Sequence, residues 1–285
     1  MGLDSAKSSP DGEAGDGIDP AAVPGNGEER GLPFAAPCRK LAADAPMRWL
    51  RLGWRDLRQA PVQSLSYGAL LVFCSYLLAV LAITYGNLVV LLALVSGFIF
   101  VGPVLAMAFY AISFQLQQGR TPTLGQSLKE SWRHIGNAMV FAVMLMVIFL
   151  VWARAVSMTH VFFPMRARPD FAEMATFLGI GTLVGSLFAA FVFCVSAFSL
   201  PMIVDRKTDM VTAVVTSFNA VLRNKGVMVV WALLIVAAVA AGLVTAFIGL
   251  GVTLPLLGHA TWHAYQETID ATAWPSHAAG YGDQA

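Results

Sequence analysis

The sequence is poor in charge where it is rich in apolar side chains. Only 12% of its 285 residues are Asp, Glu, Lys or Arg, against 57% hydrophobic. No ionisable side chain of these types, and no His, occurs between Arg58 and Arg120, from Ile135 to Ala153, from Met174 to Val204 or from Gly226 to Gly258. Such a composition does not cover a soluble surface. Each empty stretch can cross a hydrocarbon core of about 30 Å, which takes about 20 helical residues.

Cysteine is also scarce: Cys38, Cys74 and Cys194 form no CxxC pair or ligand cluster, and two of them lie inside apolar runs. That spacing excludes a metal knuckle or a dithiol motif and leaves small apolar roles. No catalytic, nucleotide-binding or transport motif stands out. The opening residues carry no apolar run behind a basic start, so they do not read as a signal peptide. Their Gly, Pro, Ser and acidic content cannot bury a core, which makes residues 1–44 a disordered tail.

What is present is a set of long apolar regions, 66–114, 136–157, 174–204 and 226–260. The first is about twice one span and folds back at Thr84–Asn87 (TYGN). The last is just long enough for two short helices turning near Gly242–Thr245. The reading is therefore an all-α polytopic membrane bundle with six transmembrane helices in three hairpins, spans at about 66–84, 88–114, 136–157, 175–203, 226–242 and 245–262. Residues 45–270 form this membrane domain, and 271–285 are a short flexible tail.

A threefold pattern supports the count. GWRDL at Gly53, SWRHI at Ser131 and SFNAV at Ser217 lead into the hairpins, while GPVL at Gly102, LPMI at Leu200 and LPLL at Leu254 end them. The prolines of the ending motifs, Pro103, Pro201 and Pro255, should kink their helices and free carbonyls. The leading segments have helical periodicity. Arg48, Arg51, Arg55 and Arg58 fall on one stripe, Leu50, Trp54 and Leu57 on another; Leu124, Leu128, Trp132 and Ile135 repeat the apolar stripe, as do Val211, Val214, Phe218 and Val221 after an Asp209 cap. Amphipathic helices of this kind lie in the interface with arginines toward anionic headgroups and Trp54 and Trp132 at headgroup level, or pack as ordinary short helices between spans.

Thirteen basic residues (Arg39, Lys40, Arg48, Arg51, Arg55, Arg58, Arg120, Lys129, Arg133, Arg206, Lys207, Arg223, Lys225) fall on the side of the N-terminus. The other side holds Arg166 and Arg168, with Arg154 at its boundary, so the N-terminus is expected in the cytoplasm of a bacterium. Ser75, Ser96, Ser186, Ser196 and Thr245 are the mild polar groups of the spans, expected to bond their own helices or a neighbour. Gly181 and Gly185, followed by Ala189, permit close helix packing within the bundle or between subunits.

His259, His263 and Glu267 share a helix face at i, i+4 and i+8, and two such imidazoles can share a divalent metal. The segment is not HExxH, so the expected role is an imidazole and aromatic edge where the helix leaves the bilayer, with metal binding as the lesser alternative and no other cofactor. GWRDLRQAP, VGPVLAMAFYAIS, LPMIVDR and LPLLGHATWHAY, in that order, resemble the bacterial integral membrane proteins of domain of unknown function 2189 over about 45–270. That resemblance implies a multi-spanning inner-membrane protein and brings no activity or catalytic residue. A fainter likeness to the three-hairpin membrane portion of some glycerophosphodiester phosphodiesterases supports the hairpin count alone. The functional expectation is a non-enzymatic scaffold or helper. Its partners would be membrane lipids, other membrane proteins or further copies, not nucleic acid; the rivals are a carrier for a neutral or amphiphilic solute and, more weakly, a metal-dependent membrane enzyme.

Overall fold

The computed structural model describes residues 33–86, 105–123, 125, 127, 129, 132, 135–162 and 170–277. Pro103, His134, Arg133, Arg166, Arg168, Ser96, the Asn87 end of the expected first turn and most of the 1–44 tail lie outside the described residues. The described chain is helical, with two isolated β-bridges and no longer strand among the described residues. In chain order the helices are α1 (Ala45–Gln59), α2 (Pro61–Tyr85), α3 (Leu105–Gln117), α4 (Ile135–Phe162), α5 (Phe171–Ser196), α6 (Ser199–Asp205), α7 (Met210–Arg223), α8 (Lys225–Val244) and α9 (Leu250–Thr268).

Among the described residues four segments are long and apolar enough to cross a membrane: Pro61–Tyr85, Ile135–Ala155, Phe171–Asp205 and Lys225–Val244. Their outward faces are aliphatic and aromatic, with Phe73, Ile83, Leu150, Leu187, Leu233 and Val236 all exposed. In water such surface would be costly, and in lipid it is the ordinary perimeter. The helix α3 is apolar but shorter. The last apolar region is two helices, as its length suggests, with the turn at 245–249, slightly later than expected. Thr245 organises that turn: its Oγ1 donates to the Gly242 carbonyl and accepts from Gly249 N–H, both at 2.8 Å. Ala246 and Phe247 adopt positive φ of 51° and 67° there, a left-handed conformation that costs a non-glycine residue about 1–2 kcal/mol. Tyr76 of α2 holds the turn by donating its hydroxyl to the Ala246 carbonyl and stacking edge-on against Phe247 at 5.7 Å.

Helix α9 is the axis of the packing, seated on α1 and α2 with α3 beside it. The face of α1 that enters the core is Trp49, Gly53, Asp56 and Leu57; of the apolar stripe only Leu57 is buried, while Trp54 is 40% exposed. The reason is close approach: a Cβ on Gly53 would stand 2.7 Å from the Ala260 backbone nitrogen, so only glycine lets the two helices meet there. Trp49 then fills the next space, edge-on to Trp231 of α8 at 5.4 Å. In α7 the buried face is built from the small residues Thr212, Ala213, Thr216, Ser217 and Ala220 together with Val221 of the apolar stripe, while Val211 is exposed; the Asp209 side chain caps the helix on Thr212 N–H at 2.9 Å, as its position suggested.

The two observable prolines behave differently. Pro201 lies in the first turn of α6, after a break at Ala197–Phe198, where its missing N–H leaves no bond unmade. Pro255 lies inside α9 and deprives the Gly251 carbonyl of its helical donor. That carbonyl faces Gly68 of α2 so closely that any side chain at position 68 would collide with it.

The ends of the described chain clasp one another. Cys38 bridges to Ile269, Arg39 N–H donates to Thr268 O at 2.7 Å, and Asp270 N–H to Pro37 O at 2.9 Å. Leu41 N–H donates to Asn224 Oδ1 and Asn224 Nδ2 donates back to Arg39 O. Trp274 is buried, and Pro275 O accepts from Lys207 N–H. Residues 33–44 and 271–276, grouped with the tails by composition, are thus tied to the bundle through backbone bonds.

Candidate functional site

The ionisable residues that the sequence places at a membrane edge converge in the core. Asp56 of α1 is 2% exposed and His259 of α9 is fully buried. Asp56 Oδ2 lies 2.7 Å from His263 Nε2 and 2.9 Å from Ser113 Oγ of α3. Ser113 Oγ is also 2.8 Å from His259 Nδ1, and His259 Nε2 is 2.9 Å from Ser64 Oγ in the first turn of α2. Four helices therefore meet in one polar cluster inside an otherwise apolar core.

The direction of these bonds follows from proton counting. Ser113 has one hydroxyl proton and gives it to Asp56, so its oxygen can only accept from His259. His259 as neutral imidazole is thereby assigned its proton on Nδ1, and its Nε2 accepts the Ser64 hydroxyl. His263 donates to the same carboxylate oxygen. The chain Ser64–His259–Ser113–Asp56 is directional, ends on an acceptor and satisfies both imidazole nitrogens of His259. Burying these groups would otherwise be unfavourable by several kcal/mol. Phe109 closes one side, edge-on to His259 at 5.8 Å, and packs against Gly258, where a Cβ would stand 2.7 Å from the Phe109 Cβ.

Glu267, the third residue on the same face of α9, meets α1 one turn further along. It accepts from Trp49 Nε1 at 2.8 Å and pairs with Arg48 through both oxygens. The expected alignment of His259, His263 and Glu267 is real, and the partners it meets are α1 and two serines. His259 and His263 are drawn inward because a buried carboxylate and two hydroxyls await them there. Among the described residues no group of three or more His, Cys, Asp or Glu is gathered so that it could hold a metal ion.

A second buried carboxylate, Asp205, ends the third apolar region. It accepts from the Tyr265 hydroxyl at 2.8 Å and from Arg206 Nε at 2.9 Å. Burial, and then the adjacent Asp205 charge, hold the Tyr265 phenol well above its ordinary range, so Tyr265 remains a donor. Arg206 in turn donates to Trp274 O, which fastens the C-terminal segment.

Of the residues read as headgroup contacts, Arg51, Arg55, Arg58, Trp54 and Trp132 are exposed. Arg48 is set apart, paired with Glu267 and with Asp44 at 2.7 Å. The span hydroxyls act locally: Ser75 donates to Leu71 O, Ser196 to Val192 O and Thr245 to Gly242 O. Gly181 and Gly185 meet no neighbour within 4 Å at the Cβ position, and Gly185 lines an open apolar groove of about 400 Å³ between α4 and α5, with Leu145, Phe149, Trp152, Phe188 and Ala189.

Asp56, Ser64 and Ser113 are the residues that the sequence does not single out. Asp56 is the one acid within α1, set on the face opposite the arginines, and that placement is the only trace of its role. Ser64 and Ser113 look like the hydroxyls found in any apolar helix.

Comparison with known proteins bears on the class of the molecule. No curated protein and no solved structure matches the chain. Residues 90–205 match the family described as predicted integral membrane protein (DUF2189), the family that the sequence resembles, and over that stretch the chain is similar to it.

Proposed function

We propose that this is a multi-pass protein of the bacterial cytoplasmic membrane with six spans in three hairpins and both termini in the cytoplasm, acting without catalysis as a lipid-associated scaffold or helper of other membrane proteins. The observation that carries the reading is the closed polar core. Asp56, His263, Ser113, His259 and Ser64 spend their bonds on one another, and glycines at 53, 68 and 258 bring the helices together around them. A pathway for a polar solute needs polar groups facing a cavity. Here they face each other across helix crossings, and the groove beside Gly185 is open and apolar instead. The breaks at 245–249 and the basic residues of α1 and α7 support the hairpin count and the orientation.

The test uses single cysteines at positions 64, 113 and 259 in a chain whose Cys38, Cys74 and Cys194 are replaced by Ser. In intact membranes a small maleimide should leave all three unmodified, while a cysteine at exposed Arg55 reacts. Rapid modification of the three buried positions would favour the carrier over the scaffold. A phosphatase or fluorescent reporter fused after Ala285 checks the span count, since a periplasmic C-terminus refutes six spans.

A further inference from the structure

Among the described residues, Arg51 and Arg58 on the outward face of α1 have no acidic partner, and Arg55 has only a long one. Asp56 is the only acid in the helix and is turned inward to His263, with Arg55 Nε at the 3.9 Å limit of pairing. Arg48 is neutralised by Glu267 and Asp44. Arg51, Arg55 and Arg58 are exposed, and the Arg58 guanidinium lies over the Trp54 ring at 5.1 Å. One residue, Ala60, separates this helix from α2, an apolar segment long enough to span, whose first turns expose Val62 and Leu65. Three guanidinium groups and an indole therefore stand within about three helical turns, along the chain, of surface suited to acyl chains.

The geometry points to a binding site for anionic phospholipid, with Arg51, Arg55 and Arg58 on the headgroup phosphodiester and Trp54 at the depth of the glycerol. It deepens the lipid-associated reading above by naming the lipid class, and rests on that reading for the placement of α1 at the membrane surface. Guanidinium forks match phosphate oxygens in pairs. The cation–π contact with Trp54 holds the Arg58 guanidinium against the ring. A neutral phosphocholine surface offers the same phosphate next to its own cation and loses the net attraction. The charges converge on one helix because its other face is occupied by α9.

The experiment reconstitutes the full chain in nanodiscs of phosphatidylcholine containing increasing phosphatidylglycerol, and counts retained lipids by native mass spectrometry after release. The wild-type chain should retain phosphatidylglycerol in preference to phosphatidylcholine. Each arginine near the surface contributes about fivefold, so the Arg51→Gln/Arg55→Gln/Arg58→Gln chain should lose on the order of a hundredfold in preference at low salt, with less loss at high salt. The triple Lys variant should keep most of it, and the Lys40→Gln/Arg223→Gln/Lys225→Gln chain, equal in charge removed, should stay within about threefold of wild type. Equal retention of both lipids by wild type, an unchanged preference in the triple Gln chain, or a loss as large in the charge-matched control would each overturn the site. Displacement of phosphatidylglycerol by millimolar inorganic phosphate would assign the arginines to a free anion instead. Should the triple Gln chain not fold, the Lys variant and the control still decide. The maleimide assay on the core is independent, so a closed core without lipid preference would sink this inference and leave the scaffold reading standing.

Discussion

Replacing Asp56 by Ala tests whether the polar cluster is a packing element of the first rank. The substitution removes the acceptor of two buried donors, the Ser113 hydroxyl at 2.9 Å and His263 Nε2–H at 2.7 Å. An orphaned buried donor costs about 1–3 kcal/mol, so the two together span about 2–6 kcal/mol. His263 keeps 8% of its surface exposed and gains some relief from water, which places the expectation at about 2–4 kcal/mol. Asp56→Asn keeps an oxygen able to accept both bonds and should cost about half as much or less. The control is Asp44→Ala, whose side chain is 70% exposed and pairs with Arg48 at i, i+4; such pairs contribute about 0.3–0.5 kcal/mol. Reversible unfolding in mixed detergent micelles, followed by helical signal against denaturing detergent fraction, gives the differences. The Asp56→Ala/His263→Ala cycle sharpens the answer: a charge-assisted buried bond predicts a coupling of about 1.5–3 kcal/mol, whereas an average side-chain bond within membrane proteins gives about 0.6 kcal/mol. An Asp56→Ala chain as stable as the Asp44→Ala control, or a coupling near 0.6 kcal/mol, would refute the claim that this cluster fastens α1 to α9.

Other outcomes follow from single contacts. Gly68→Ala should destabilise by about 1–3 kcal/mol, because its Cβ has no room beside the Gly251 carbonyl, whereas Gly226→Ala, with open space at that position, should be neutral or slightly stabilising in the same unfolding assay. Ala246→Gly should stabilise by up to about 1 kcal/mol by relieving positive φ in the α8–α9 turn; a loss of stability would show that the turn relaxes in the native protein. Tyr265→Phe strips one of two donors from buried Asp205 and should cost about 1–2 kcal/mol; proteolysis within 271–277 should rise with it if Arg206 loses its hold on Trp274. No rise in cleavage there would separate the tyrosine from the C-terminal clasp.

The legible part of the candidate site was the face of α9. A spacing of four along a helix aligns His259, His263 and Glu267 whatever the tertiary structure does, and the structure keeps them aligned. What they face was not legible. Asp56 is 207 residues from His263 and Ser113 is 146 from His259 along the chain, and nothing local to either residue marks the pairing. The expectation that the histidines edge the bilayer rested on their place after an apolar run, which fixes depth along the helix axis and says nothing of rotation about it. The buried face of α1 was not legible for a related reason. Apolar periodicity marks Leu50, Trp54 and Leu57 as a stripe without saying what it meets, whereas helix crossing selects the smallest residue, and Gly53 decides which side can touch Ala260.

By itself the sequence determined the class of the molecule and its elements: charge-free stretches of spanning length, the Asp209 cap, two helices in the last apolar region and a basic stripe along α1. These depend on composition and on the 3.6-residue period, both local properties of the chain. Only the tertiary structure decided that Pro255 frees a carbonyl against Gly68, that the ends of the described chain clasp across Cys38 and Ile269, and that four helices share one polar cluster. Those depend on which surfaces come within 3 Å of each other, and backbone approach at a glycine or a hydrogen bond between distant residues exists only once the helices have been brought together.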